Sequence, residues 1–576
     1  MFGFVAELSS KPVLSGLRTP ARPAPGAPLR FCYSYFALYG DPLLETDADP
    51  YPEGFLARLA EAGVNGVWLQ AVLYKLAPFP WDNALSNRYE ERLKNLRTLV
   101  ARARKYGIGI YLYLNEPRGM PAAFFEDRPD WRGALSRRAG LHAMCVSSPE
   151  VRAALRDGLA DLFRKAPGLA GVFTITMSEN LTHCRSKHND ADFPVCPRCA
   201  AKAPEDLVAE VNNAIAEGVH AARPKAEVIA WDWAWNPEWS ANVAGQLRPD
   251  ITMMCTSEAY LQTDMQGIKS RVGDYTISKV GPGFVAEDNW SQARLRGLER
   301  MAKVQLNNTW ECSAVPYLPV PFLVKELLRN LEARQVSGLM VGWTLGGYPG
   351  GNLELIDREP EAIARARFGA AAPAVLDAWR RFGEAFALLP IHGAMLLCLG
   401  PQNYGPMNPL YARPTGFRAT MMGFPYDDLP HWRSPLYPET AFEEQFRLLS
   451  EGWQAGLAVL REAAARVPPA GRAAFDDLSR VAEAAYCHFR SAYLQMAFIR
   501  LRDAARTPET RARLDAILDE ELALAKTLRD IVRRDSRIGF EASNHYYYTD
   551  QSLLEKVLNC EEVRAALRAG AAQEAT

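Results

Sequence analysis

The chain has 576 residues, enough for two or three domains, and its 66 Lys plus Arg balance 67 Asp plus Glu. No basic stripe interleaved with aromatic residues stands out, so no nucleic-acid partner is expected. The start, "MFGFVAELSSKPVLSG", lacks a positive segment followed by a long apolar run, and no later stretch reaches about 18 apolar residues. The expectation is a cytoplasmic protein with no membrane partner.

From about residue 30 to 345, short apolar runs rich in Val, Ile, Tyr and Trp alternate with helix-period segments, which is the βαβα pattern. Eight strands are predicted, at 29–39, 63–74, 107–117, 169–179, 226–235, 250–260, 302–312 and 336–347. Helical segments fall between them, among them "YEERLKNLRTLVARARKY", "VRAALRDGLADLFRKA" and, ahead of the seventh strand, "WSQARLRGLERMAK". "DYTISKVGPGF", residues 274–284, reads as an extra hairpin between strands six and seven. This order predicts an α/β chain built on a (β/α)8 TIM barrel. A doubly wound sheet fits less well, because the first strand runs into "YGDPLLETDADPYP" and not into a Gly-rich phosphate loop. Beyond residue 357 the runs are long and helical. The expected division is an N-terminal extension (1–28), a catalytic barrel (29–357) and a C-terminal α-helical domain (358–576).

In a barrel the C-terminal strand ends converge on one mouth. Here they carry Tyr35, Gln70, then Trp81; Asn115, Glu116 and Arg118; Glu179 and Asn180; Trp231, Asp232 and Trp233; Glu258 and Tyr260; Trp310 and Glu311; and Trp343. Aromatic faces that stack on sugar C–H groups, mixed with carboxylates and amides that bridge hydroxyls, point to a carbohydrate. Glycoside hydrolysis needs a carboxyl that donates a proton and a carboxylate that acts as nucleophile or base. Glu179 and Glu311 close the predicted fourth and seventh strands.

In that placement the sequence resembles the retaining (β/α)8-barrel glycosidases of clan A. The resemblance implies Glu179 as acid/base and Glu311 as nucleophile, with Tyr260 in the place of the clan's tyrosine that contacts the nucleophile. Ser178 stands where the clan usually has Asn, and Asn180 follows Glu179 instead.

Ten cysteines in a chain of this length are no disulfide framework, and three cluster, as Cys184, Cys196 and Cys199 in C-x11-C-x2-C. With His188 they make a structural zinc site of three thiolates and one imidazole, or, with Cys145 in its place, one of four thiolates. Family 42 β-galactosidases resemble this arrangement in carrying a cysteine-ligated zinc beside the barrel mouth. No organic cofactor is expected, and a homo-oligomer is compatible with the sequence. The reading is a glycoside hydrolase that removes a terminal sugar from a β-linked glycoside by retaining double displacement. Two alternatives stay open: a β-N-acetylhexosaminidase using the substrate acetamide, and a non-catalytic carbohydrate-binding barrel.

Overall fold

The computed structural model describes residues 27–36, 40–45, 49–136, 139–186, 196–393, 405–418, 427–432, 436–504, 507–541 and 545–574. Eight parallel strands close into one barrel: Arg30–Cys32, Gly66–Ala71, Gly109–Leu114, Gly171–Ile175, Glu227–Trp231, Thr252–Thr256, Arg300–Lys303 and Gly338–Met340. They are strands one to eight below, and each neighbours the next around the ring. Closure forces side chains of alternate residues inward. Phe31, Trp68, Tyr111, Tyr113, Phe173, Ile175, Ile229, Trp231, Met254, Met301 and Met340 fill the interior, while Leu112, Val172 and Val228 join the larger core. Strand four opens on Gly171 because a Cβ there would lie 2.2 Å from the Glu227 carbonyl oxygen.

Amphipathic helices surround the ring, including Tyr89–Arg104, Pro149–Lys165, Pro204–Ala222 and Pro321–Ala333, each turning its apolar stripe inward. The helix expected at "WSQARLRGLERMAK" is instead Phe284–Leu295, and the end of that stretch is strand seven itself. Strand seven therefore stops at Lys303 and not near 312. Beyond it, Val304 and Leu306 still donate to Met340 and Val341 carbonyls, and then Asn307 and Asn308 donate their side-chain amides to loop carbonyls and turn the chain away. The hairpin between strands six and seven is Gln262–Met265 with Ile268–Arg271, and residues 274–284 are not part of it.

The C-terminal part is helical: Pro360–Phe368, Ala372–Phe386, Glu439–Ala463, Arg472–Arg502, Pro508–Arg534 and Asp550–Glu574. Phe382 stacks on Trp453 with ring centroids 4.5 Å apart, joining the second and third of these helices. This region braces the barrel loops: Tyr317 Oη donates to Asp477 (2.9 Å), Arg537 donates to Tyr348 Oη (2.8 Å), and the Tyr35 ring meets Phe540 at 5.3 Å. No helix among the described residues is long and apolar enough to cross a membrane.

Candidate active site at the barrel mouth

The top of the barrel interior is aromatic. Trp343, half-buried, stacks on Trp68 (4.9 Å, 24°) and meets Trp231 and Tyr113 edge-on at 5.0 and 5.4 Å. Gln70 is exposed and lies two residues beyond Trp68, hence on the inward face of strand two. Trp231 is fixed by its indole N–H, which donates to Thr256 Oγ1 at 3.0 Å.

Glu179 stands at the edge of this floor, exposed, just past strand four. Its φ of +67° is left-handed, a conformation that costs a non-glycine residue about 1–3 kcal/mol and gathers at functional sites. Trp233, half-buried beside Trp231, donates its indole N–H to Glu179 Oε1 at 3.3 Å. Asn180 donates to Asn115 Oδ1 (3.3 Å), and Asn115 donates to the Ile175 carbonyl (3.0 Å), tying strand three to the turn that presents Glu179.

Several residues read from the sequence as sugar contacts are engaged with the protein. Asp232 accepts from the Thr256 amide and from Asn289, and burial pushes its carboxyl up to about 6. Glu116 accepts from the Leu73 amide (2.7 Å) with Arg118 3.7 Å away, and burial raises its pKa. Trp81 packs against Trp131 in a satellite cluster with Tyr74, Phe79 and Phe124. Tyr35 is buried among Phe36, Tyr348 and Phe540. Tyr260 lies under Arg271 and against Phe284, and Trp310 donates to Tyr275 Oη (2.8 Å).

Glu311 is fully buried in the loop after strand seven. Its carboxylate accepts from Thr276 Oγ1, the Ile277 amide (2.8 Å), the Ser278 amide (3.3 Å) and Thr309 Oγ1 (2.6 Å). Its partners are residues 276–278 and 309; Tyr260 is not among them. Glu258, just past strand six, is equally buried, yet neither of its oxygens accepts a well-aligned hydrogen bond, the near donors being Ser257 and its own backbone amide. Burial pushes it up to about 8.

Sequence reasoning missed two charged neighbours of Glu258. Lys303 ends strand seven on the inward face, fully buried, its ammonium 2.8 Å from the centre of the Tyr275 ring and without a hydrogen-bond partner. Asp274 is buried with Oδ1 unpartnered. Burial lowers Lys303 to about 7 and raises Asp274 to about 7. Lys303 was hidden because "ERMAK" reads as the end of a helix.

Beyond Glu179 the chain enters a cluster of thiols. The Sγ atoms of Cys145, Cys184, Cys196 and Cys199 lie within 4.8 Å of one another, all buried, with contacts of 3.4 to 3.5 Å. They can hold a metal ion. Cys145 directly follows the hairpin strand Leu141–Met144 and fills the fourth corner; His188 lies outside the described residues. Hydrogen bonding from the other thiols, Cys184 first, and from Arg198 holds the Cys145 thiol well below its usual range.

No protein-family model matches the sequence, and no characterised protein is similar to it at the level of sequence. Among solved structures the chain is similar to a family 138 glycoside hydrolase targeting pectin rhamnogalacturonan II, at 12% identity and a TM-score of 0.52, over 94% of this chain and 84% of that one. It also aligns with a family 89 glycoside hydrolase from Clostridium perfringens at 13% identity and a TM-score of 0.44, covering 94% and 64% of the two chains. A family 20 exo-β-N-acetylglucosaminidase from Vibrio harveyi aligns at 10% identity and 0.32, covering 59% and 52%. At these identities the first likeness speaks for the fold: a parallel eight-stranded barrel followed by helices.

Proposed function

We propose that this chain is a glycoside hydrolase that acts at the C-terminal mouth of its barrel, with Glu179 as one of the two carboxyl groups. The observation that carries this reading is the presentation of Glu179: a left-handed residue at a strand end, exposed, held by the Trp233 indole, at the rim of a floor made by Trp343, Trp68 and Tyr113. Such a floor offers a sugar an apolar face, and Gln70 and Asn180 offer amides to its hydroxyls. The shared fold with a family 138 glycosidase supports it.

In the finer form of the reading the substrate is a terminal β-linked sugar and hydrolysis retains the anomeric configuration. Retention needs the two carboxyl groups about 5–5.5 Å apart, inversion about 6.5–9.5 Å. For Glu311 to be the partner as nucleophile, it would have to shed the four hydrogen bonds that now saturate it.

In the same reading the four cysteines hold a structural zinc. A tetrahedron with Zn–S bonds of about 2.3 Å has edges of about 3.8 Å, so the observed 3.4 to 3.5 Å contacts need only a slight expansion. Four thiolates leave no open coordination position, so the metal would pin the loop behind Glu179 and take no part in bond cleavage.

The test is a panel of aryl glycosides of both anomeric configurations, assayed with wild type and Glu179→Gln. The expected result is hydrolysis of at least one β-glycoside, lost by about 10⁴-fold in the variant. Hydrolysis that survives the substitution would remove Glu179 from the mechanism, and an inverted product by NMR would remove retention.

A further inference from the structure

Two buried glutamates follow strands six and seven, and their surroundings are opposite. Glu311 has every lone-pair direction occupied by donors from residues 276–278 and 309, so its carboxyl group is engaged in holding that segment. Glu258 accepts no well-aligned hydrogen bond at either oxygen, with only Ser257 and its own backbone amide as nearby donors, is wholly covered, and lies so close to Gly281 that a Cβ there would come within 3.2 Å of its Cγ. Buried polar groups are nearly always paired, and an orphan carboxyl beside an orphan ammonium at a strand end needs a reason. Catalytic carboxyls that must stay protonated are made this way, by withholding donors and water.

Its position also suits a pairing with Glu179. Strands four, five and six are adjacent, so the two strand ends are about 10 Å apart at about 4.8 Å per strand, a span that two glutamate side chains reaching toward each other can close to the separations glycosidases use. The space between them is bridged by strand five: Trp233 donates to Glu179, and Trp231 donates to Thr256, two residues before Glu258.

We propose that Glu258 is the second catalytic carboxyl of the mouth and donates the proton to the leaving glycosidic oxygen, while Glu179 attacks the anomeric carbon. This rests on the glycosidase reading and reverses the role that the clan A resemblance implied for Glu179. The bond from the anomeric carbon to the glycosidic oxygen breaks, its electron pair stays on that oxygen, and the Glu258 proton neutralises it as a Glu179 oxygen bonds to the carbon. Water then attacks the carbon, Glu258 takes its proton, and the ester to Glu179 is released with the sugar. Burial sets the charge on Glu258, and Lys303 and Asp274 adjust it in opposite directions, the ammonium favouring the carboxylate and the second carboxyl opposing it. Asp274 and Gly281 lie near Glu258, at the two ends of the segment that Glu311 anchors through residues 276–278, and a substrate reaching Glu258 must displace part of what covers it.

The test compares Glu258→Gln, Glu179→Gln and Glu311→Gln on two aryl glycosides of a sugar that wild type hydrolyses, one with phenol and one with 2,4-dinitrophenol as leaving group. Dinitrophenolate leaves without a proton. Glu258→Gln should therefore slow the phenyl glycoside by about 10²–10⁴-fold and bond cleavage in the dinitrophenyl glycoside by less than about tenfold, with loss of the alkaline limb of the pH profile and rescue by azide. A structural role would slow both substrates alike. Equal slowing, no slowing, or a leaving-group dependence that appears in Glu311→Gln instead overturns the proposal. Infrared spectra give a readout without turnover: the protonated-carboxyl band at neutral pH should lose intensity in Glu258→Gln, and an unchanged band also counts against the proposal. If wild type cleaves no glycoside, the glycosidase reading falls and this one with it, whatever the infrared band does.

Discussion

The two sides of the barrel mouth are built on different principles. On the side of strand four, everything from the strand to the thiols lies in one stretch: Gly171–Ile175, the left-handed Glu179, then Cys184, Cys196 and Cys199, with Cys145 alone arriving from the preceding hairpin. On the side of strands six and seven, the chemistry is assembled from pieces far apart in sequence, as Glu258 beside Lys303 and Asp274, and Glu311 clamped on residues 276–278. The first side is held by covalent proximity and a tight thiol nest. The second is held by burial, and burial sets its charges.

That contrast can be broken most forcefully on the thiol side. Cys184→Ser should abolish binding of one zinc equivalent per chain and destabilise the fold by several kcal/mol, since a structural zinc's binding energy is largely folding energy. Cys32→Ser, outside the nest, should leave metal content unchanged. Metal analysis with thermal unfolding, with and without a chelator, checks both; one zinc per chain in Cys184→Ser would dissolve the nest as a metal site.

On the other side, Glu311→Ala should cost about 2–4 kcal/mol, because it strands the buried Ile277 and Ser278 amides and two threonine hydroxyls. Denaturant unfolding measures it. A loss below about 1 kcal/mol would mean that the clamp is not what holds the 276–278 segment. A further effect is expected in pH dependence. Glu258 sits near 8 when folded and near 4.3 when unfolded, so its contribution to stability is full below about 4 and is lost as pH rises towards 8. Asp274, raised to about 7, adds to the same decline, and Lys303, lowered to about 7, offsets part of it above neutrality. Wild-type Tm should fall from pH 5 to 8, and Glu258→Gln should fall less. Parallel curves would show that Glu258 titrates normally.

The same contrast explains what was legible. Eight strands showed in the sequence, seven of them in place, because a barrel strand is a short apolar run between helices, and Glu179 stood out as a candidate because it ends such a run. Strand seven was misplaced because "RMAK" is four residues long and continues a helical period, while "VQLNNTW" beyond it mimics a strand by alternation. That shift moved Glu311 to a strand end it does not occupy and hid Lys303, which does. Cys145 was visible only as a candidate for the fourth corner, since the hairpin that delivers it returns from a separate loop. No periodicity encodes the absence of well-aligned donors around Glu258; that is a property of packing.

The bracing of Tyr317 and Tyr348 by Asp477 and Arg537, and of Tyr35 by Phe540, ties the loops after strands one, seven and eight to a half of the chain that adds no residue to the proposed chemistry. Activity and folding of the helical half are thereby thermodynamically linked: a fluctuation that loosens the helices slackens three sides of the mouth at once. Turnover should fade with warming before the barrel itself melts, and a barrel expressed alone would inherit the floor of the site without its walls.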